Sequence, residues 1–306
     1  MDKFIEAAAG KLPNAIARLG PAALASWSSV LLAWAWQYPD MKTLRADLAR
    51  LVALPAVEQL ALGAGAALSV SVSIIVVERI TQMLVPWLAN PWPRPLALLH
   101  TLGVRRQTAK AEPLRQEWDA LSRQVFCGTP PDDELSRFNI VDARLRDFPP
   151  ADRTGPTRTA NLLRATWLRP QQRTGVSTNL ILPRLFLVLP ESVHADLTTQ
   201  WTAVTTALSY TVWSVLVLPA WYWCPYVPLL TLAGLSIAWF EVPRRSERYG
   251  GTLEAAMDLY RFDVLDRLHW PLPKSTSDEH EHGSNLSAYL LRGEARTSVD
   301  FRHPQS

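Results

Sequence analysis

GAGAALSVSVSIIVVERI, residues 63–80, alternates serine with valine or isoleucine, the pattern of a strand wetted on one side. Read four residues at a time, the same region aligns Ala61, Gly65, Ser69 and Ser73 on one stripe, with Gly63, Ala67 and Ser71 beside them. Small residues at that spacing let helices approach closely in lipid. Length decides between the two readings. No charge falls between Glu58 and Glu78, so residues 59–77 form an uncharged run of 19. That is close to the roughly 20 residues that cross a bilayer core as helix, and far longer than an ordinary strand. The sequence therefore predicts a membrane helix over about 59–77, its serines bonding to carbonyls of their own helix or a neighbour. Ala61, Gly65, Ser69 and Ser73 are its expected helix-packing seam, and a homo-oligomer joined along such a seam is compatible with it.

Outward from this run the pattern repeats. The chain has 306 residues, 48% hydrophobic and 19% charged, figures that suit a two-domain soluble protein until their distribution is considered. Residues 197–240 contain no Asp, Glu, Lys or Arg over 44 positions, enough for two crossings. Pro219, Pro225 and Pro228 mark a turn between them, with Trp221, Tyr222, Trp223 and Tyr226 at the bend, where amphipathic rings favour the headgroup level. A further uncharged run, residues 21–38, is short and reads as a spanning helix or an interfacial one.

The expected fold is all-α: a polytopic membrane protein of about four transmembrane helices, with a helical cytoplasmic insert between the second and third. Residues 1–93 form an N-terminal membrane part with apolar helices at about 21–38 and 59–77. Residues 94–193 form the insert, 194–240 a transmembrane hairpin, 241–273 a cytoplasmic helix and 274–306 a flexible tail.

Lys and Arg set the orientation, because translocating them is costly. Residues 78–196 carry 16 of them, residues 241–306 carry 9, and the turn of the hairpin carries none. Both polar parts are thus expected in the cytoplasm, as are both termini, in a multi-pass protein of the cell (inner or plasma) membrane. Ala33 and Ala35 offer a small-x-small cleavage pattern, but Trp34 and Trp36 crowd it, and acidic Asp2 and Glu6 precede the apolar stretch, so a signal peptide is the weaker reading. Cys127 and Cys224, the only cysteines, fall on opposite sides of the expected membrane and make no disulfide framework.

The insert reads as amphipathic helices. Pro113 is expected to open one, with Leu114, Trp118, Leu121 and Val125 on a single face. Asp132 or Asp133 is expected to cap a second, ending at Pro149. A third begins near Thr157 and stops at Pro170, and Leu253, Met257, Tyr260, Val264 and Leu268 form a stripe before Pro271. In ILPRLFLVLPE, residues 181–191, an apolar run too short to span holds Pro183, Arg184 and Pro190. It reads as a buried or interfacial turn, with Arg184 pairing a carboxylate or lipid phosphate. The alternative is a re-entrant element lining a pathway.

Two stretches, TRTANLLRATWLRPQQRTGVSTNLILPRLFLVLPE at 157–191 and DLYRFDVLDRLHWPLP at 258–273, resemble a group of uncharacterised bacterial multi-pass membrane proteins. The shared pattern is an Asn-Leu-Leu-Arg-Ala helix, a Gly, a Pro-Arg-Leu followed by Leu-Pro, a membrane hairpin, and a Tyr-Arg-Phe helix ending in Trp-Pro-Leu-Pro. The group usually carries Tyr before that Gly, where this chain has Thr174. The resemblance implies architecture and brings no activity.

Catalytic and cofactor chemistry finds little support. DEHEH, residues 278–282, has the composition of a metal site, yet an HxH pair after Pro271, Pro273 and Ser275 reads as linker. Gly250-Gly251 lacks the lysine of a phosphate loop, and no Gly-x-Ser-x-Gly occurs. The expectation is a non-enzyme with no catalytic, metal or cofactor-binding residues. Arg105, Arg106 and Lys110 follow the second membrane helix, and Arg244, Arg245 and Arg248 follow the last, so the basic excess is read as contact with anionic lipid rather than nucleic acid. The expected partners are the bilayer and a protein on the cytoplasmic side. The expected function is a membrane-anchored interaction or scaffold protein docking that partner through its cytoplasmic helices. The alternative is an oligomeric pore or membrane-perturbing effector with a cytoplasmic sensor. The first is preferred because no ionisable residue lies inside a span.

Overall fold

The computed structural model describes residues 2–38, 40–89, 92–128 and 130–294, with side chains from residue 19 onward except 88 and 89. Every regular element among them is helical. The order is α1 (Asp2–Ala35), α2 (Met41–Val52), α3 (Ala56–Ala89), α4 (Ala97–Cys127), α5 (Asp132–Leu145), α6 (Arg158–Thr174), α7 (Thr178–Val188), α8 (Glu191–Leu216), α9 (Val227–Arg267) and α10 (Thr276–Arg292), with short 3₁₀ turns between some of them. The all-α expectation holds. Two stretches, Ala56–Trp87 and Glu191–Tyr222, are helices long and apolar enough to cross a membrane, and Leu19–Ala35 is a shorter apolar one.

The chain divides into two compact units, Met1–Pro86 with Thr202–Val242, and Trp87–Trp201 with Pro243–Ser306. The first is held by apolar contacts. Leu19 and Ala23 of α1, Ile74 and Val77 of α3, and Val212 and Trp213 of α8 share one buried cluster. Ala33, Val217, Ala220, Cys224 and Val227 form another around the bend after α8. Trp27 Nε1 donates to Ser73 Oγ at 3.1 Å, tying α1 to α3. Between these helices α2 stands with no buried residue, its N-terminus capped by Asp40, which accepts from the Thr43 and Lys42 amides at 2.8 and 3.1 Å.

Of the row Ala61, Gly65, Ser69, Ser73, the residue that bonds to α1 among the described residues is Ser73. Ala61, Gly65 and Ser69 are exposed, and a Cβ built on Gly65 has nothing within 4 Å. Ser69 Oγ and Ser71 Oγ donate to the carbonyls of Gly65 and Ala67 in the preceding turn, at 2.9 and 2.8 Å. The buried edge of α3 is Ile74, Val77 and Thr81 instead.

In the second unit four expectations are corrected. Pro113 lies inside α4, which begins at Ala97; Gln107 and Ala111 before it and Leu121 after it are buried, so packing on both sides carries the helix through the missing amide. The N-cap of α5 is Pro131 without a side-chain bond, and Asp132, Asp133 and Glu134 fill the first turn, where carboxylates complement the helix dipole. Pro170 is likewise internal: α6 runs on to Thr174 and ends at Gly175, whose φ of 73° is left-handed. The expected turn around Pro183 and Arg184 is the helix α7; Arg184 Nη1 donates to the Leu180 carbonyl at 2.6 Å, and Pro190 stands just ahead of α8, where its carbonyl accepts from Val193 and His194.

The flexible-tail expectation is corrected over Thr276–Arg292, which form α10 with Ser275 capping the Asp278 amide; residues 295–306 of that tail lie outside the described residues.

Candidate functional site

Helix α6 is the centre of the second unit, and its first turn explains the Asn-Leu-Leu-Arg-Ala stretch. Thr157 Oγ1 accepts from the Ala160 amide at 3.1 Å and starts the helix. Asn161, fully buried, accepts from the Gly155 amide at 2.5 Å and donates to Gln107 Oε1 of α4 at 3.5 Å. The asparagine thus holds the preceding loop and α4 against α6. Its neighbours Leu162, Leu163 and Ala165 are buried. Gly250 of α9 lies against Thr166, and a Cβ there would strike the threonine hydroxyl. Along the same pair of helices Arg158 meets Glu247 at 2.6 Å, Arg169 meets Glu254 at 2.6 Å, and Arg173 pairs with Asp258. Asp258 also pairs with Arg261 of its own helix and so serves two helices.

The end of α6 is stitched to α10. Gly283 of α10 packs on the Thr174 carbonyl, Gly175 packs on the His280 carbonyl, and the Ser177 amide donates to Ser287 Oγ at 2.8 Å. Here the DEHEH segment finds its use. Glu279 accepts from Arg261 Nε at 2.6 Å, His282 Nδ1 lies 3.0 Å from the Asp278 carbonyl, and the His280 backbone serves as packing surface for Gly175. Among the described residues no group of three His, Cys, Asp or Glu side chains is placed to hold a metal ion.

Two clefts meet along the exposed edge of α6. One, of about 400 Å³, is lined by Asp152, Arg153, Arg164, Trp167 and Thr178. The other, of about 480 Å³, is lined by Ser177, Ser284, Ser287, Leu291 and Arg292; Gln171 and Asn179 belong to both. Arg164 Nη1 donates to the Arg153 carbonyl at 3.0 Å, and burial pushes its guanidinium below the usual arginine range. Trp167 Nε1 is buried without a hydrogen-bond partner, while the Trp167 carbonyl accepts from Thr178 Oγ1 at 2.6 Å. The groove presents guanidiniums, amides, hydroxyls and an indole, with one carboxylate, Asp152, 3.7 Å from Arg153 Nε. That chemistry suits a carbonyl- and carboxylate-bearing chain.

The sequence signal for this edge is the Arg-Ala-Thr-Trp-Leu-Arg-Pro-Gln run, in which Trp167 reads only as part of an apolar helix face with Leu162 and Leu163, and whose helical spacing puts Arg164, Trp167 and Gln171 together. Of the basic residues expected at lipid, Arg105, Arg106 and Lys110 are exposed on α4, Arg244 and Arg248 are exposed on α9, and Arg245 is half-buried. No family model, curated protein or solved structure matches the chain.

Proposed function

We propose that the chain is a multi-pass membrane protein that anchors a helical docking unit at the cytoplasmic surface, where the groove beside α6 receives a protein partner. The observation that carries this reading is α3. Its most apolar window has only 11% buried against the rest of the chain, and Val57, Leu60 and Leu68 stand 79%, 75% and 66% exposed. A patch of that extent in water marks an interaction or membrane surface, and lipid covers such a helix without cost. The apolar parts of α1 and α9 complete four crossings, and the 16, 0 and 9 distribution of Lys and Arg supports cytoplasmic termini.

Topology reporters test it. Fusions after Asp152 and at the C-terminus should read cytoplasmic, and a tag between Pro219 and Pro225 should be reached from outside. An exterior reading at Asp152 overturns the arrangement. For docking, Arg164→Glu should remove a protein that co-purifies with the wild type from its own membrane. A pore is the competing reading, favoured by the exposure of Gly65 and Ser69; dye leakage from liposomes holding the purified protein would support it instead.

A further inference from the structure

The first turns of α4 carry two different faces. On one, a Cβ built on Gly103 would strike the Pro156 carbonyl, and Gln107 and Ala111, one and two turns further on, are buried. Turned away from that face, Leu98, Leu99 and Leu102 stand 80%, 59% and 61% exposed. Arg105 and Arg106 follow Leu102 at the third and fourth positions, which share its side of a helix, and both are exposed. Leucines edged by arginines on a surface helix make an element suited to lying in the plane of a membrane interface.

Charge and position identify what covers the leucines. Residues 79–111 hold five Lys or Arg and no Asp or Glu, more positive charge than the net +3 of the whole chain. Elsewhere in the second unit guanidiniums find carboxylates, as Arg158, Arg169 and Arg261 do. Arg94, Arg105, Arg106 and Lys110 have none among the described residues, which leaves them for an anionic surface. The position is set by two tryptophans. Trp92 Nε1 donates to the carbonyl of Trp87, near the end of α3, at 2.9 Å, and the Trp92 ring meets His100 of α4 edge-on, 6.0 Å between centroids. Tryptophan gathers at the headgroup level, so this link ties the root of α4 to the place where an apolar helix would leave a bilayer. A bilayer with anionic lipid offers phosphate and acyl chain together at that place. We infer that Leu98–Arg106 lies in the interface of an anionic bilayer, the three leucines at the acyl boundary and Arg94, Arg105 and Arg106 on lipid phosphates. The inference rests on the membrane reading of α3 and adds a lipid selectivity to it.

An environment-sensitive fluorophore placed singly at Leu68 or Leu102, in full-length protein lacking Cys127 and Cys224, tests it. The protein is reconstituted in nanodiscs of phosphatidylcholine alone or with about one third phosphatidylglycerol, carrying a nitroxide at the top or at the end of the lipid acyl chain. In the anionic discs the label at 102 should be quenched about twofold by the shallow nitroxide, and in neutral discs by less than half as much. Each basic residue near an anionic surface is worth about fivefold in attraction, so the joint Arg105→Glu and Arg106→Glu variant should lose most of the quenching at 102 and keep that of the label at 68 by the deep nitroxide. Equal quenching at 102 in the two kinds of disc would overturn the inference. So would quenching at 68 with none at 102. Blue-shifted emission at 102 without quenching would overturn it too, because a second copy of the chain then covers the leucines. A label at 68 that neither nitroxide reaches would instead sink the membrane reading itself.

Discussion

Helices α3 and α6 are built on opposite plans. α3 is 34 residues long, yet among its described side chains the buried ones are Ile74, Val77 and Thr81, and its serines bond back to their own helix. α6 is half that length at 17 residues, with eight of them buried and ion pairs to α9 along its flank. The chain itself accounts for α6. The described residues leave most of α3's apolar surface uncovered. The difference locates where substitutions act: in α6 through contacts inside the protein, in α3 through whatever surrounds it.

The sharpest break of this contrast is a matched pair of truncations. Leu163→Ala removes a side chain 1% exposed and should destabilise the second unit by about 2–5 kcal/mol. Leu68→Ala, at 66% exposure, should change thermal stability in detergent by less than about 0.5 kcal/mol. Comparable losses at the two sites would mean that Leu68 is packed against protein.

A smaller effect is expected where α10 closes on α6. A methyl on Gly283 would strike the Thr174 carbonyl and come within 2.7 Å of Val176 Cγ2. Gly283→Ala should therefore cost about 1–3 kcal/mol and speed amide exchange across Thr276–Arg292, with α3 exchange unchanged. Unaltered protection of α10 would show that the helix is held elsewhere.

The smallest effect concerns α2, which like the outer part of α3 has no support from packing. The Asp40 carboxyl is held below the usual carboxylate range first by the Thr43 amide, then by the Thr43 hydroxyl. A depressed pKa means the cap is complete above the ordinary aspartate range and is lost as pH falls through the lower, folded value. Exchange of the Lys42 and Thr43 amides should thus accelerate, relative to the intrinsic rate, only below the usual aspartate pKa. Loss of protection already near neutral pH would mean that Asp40 does not set the start of α2.

What was legible in the sequence follows the same division. The 19-residue uncharged run announced α3, and Thr157 announced α6 through an N-cap that needs only neighbouring residues. Serine back-bonding in α3 was readable for the same local reason. The sequence makes Pro113 a helix start and Pro170 a helix end and puts Pro183 in a turn, yet each lies within a helix, because tertiary packing outweighs one missing amide bond. DEHEH read as linker because its polar composition hides Gly283 and Ser287, whose value lies in how closely α10 approaches the end of α6. The cleft beside Gln171 is not visible in the sequence, since its second wall comes from Ser284 and Arg292, more than a hundred residues away along the chain.

The proposed function puts α3 in lipid and the α6 groove in water. Spin labels report this directly when placed singly at Leu68 and Asn179 in full-length protein lacking Cys127 and Cys224, reconstituted in nanodiscs. The label at 68 should relax with oxygen and ignore a water-soluble nickel chelate, and the label at 179 should respond to the chelate. Nickel access at 68 equal to that at 179 would mean that α3 stands in water.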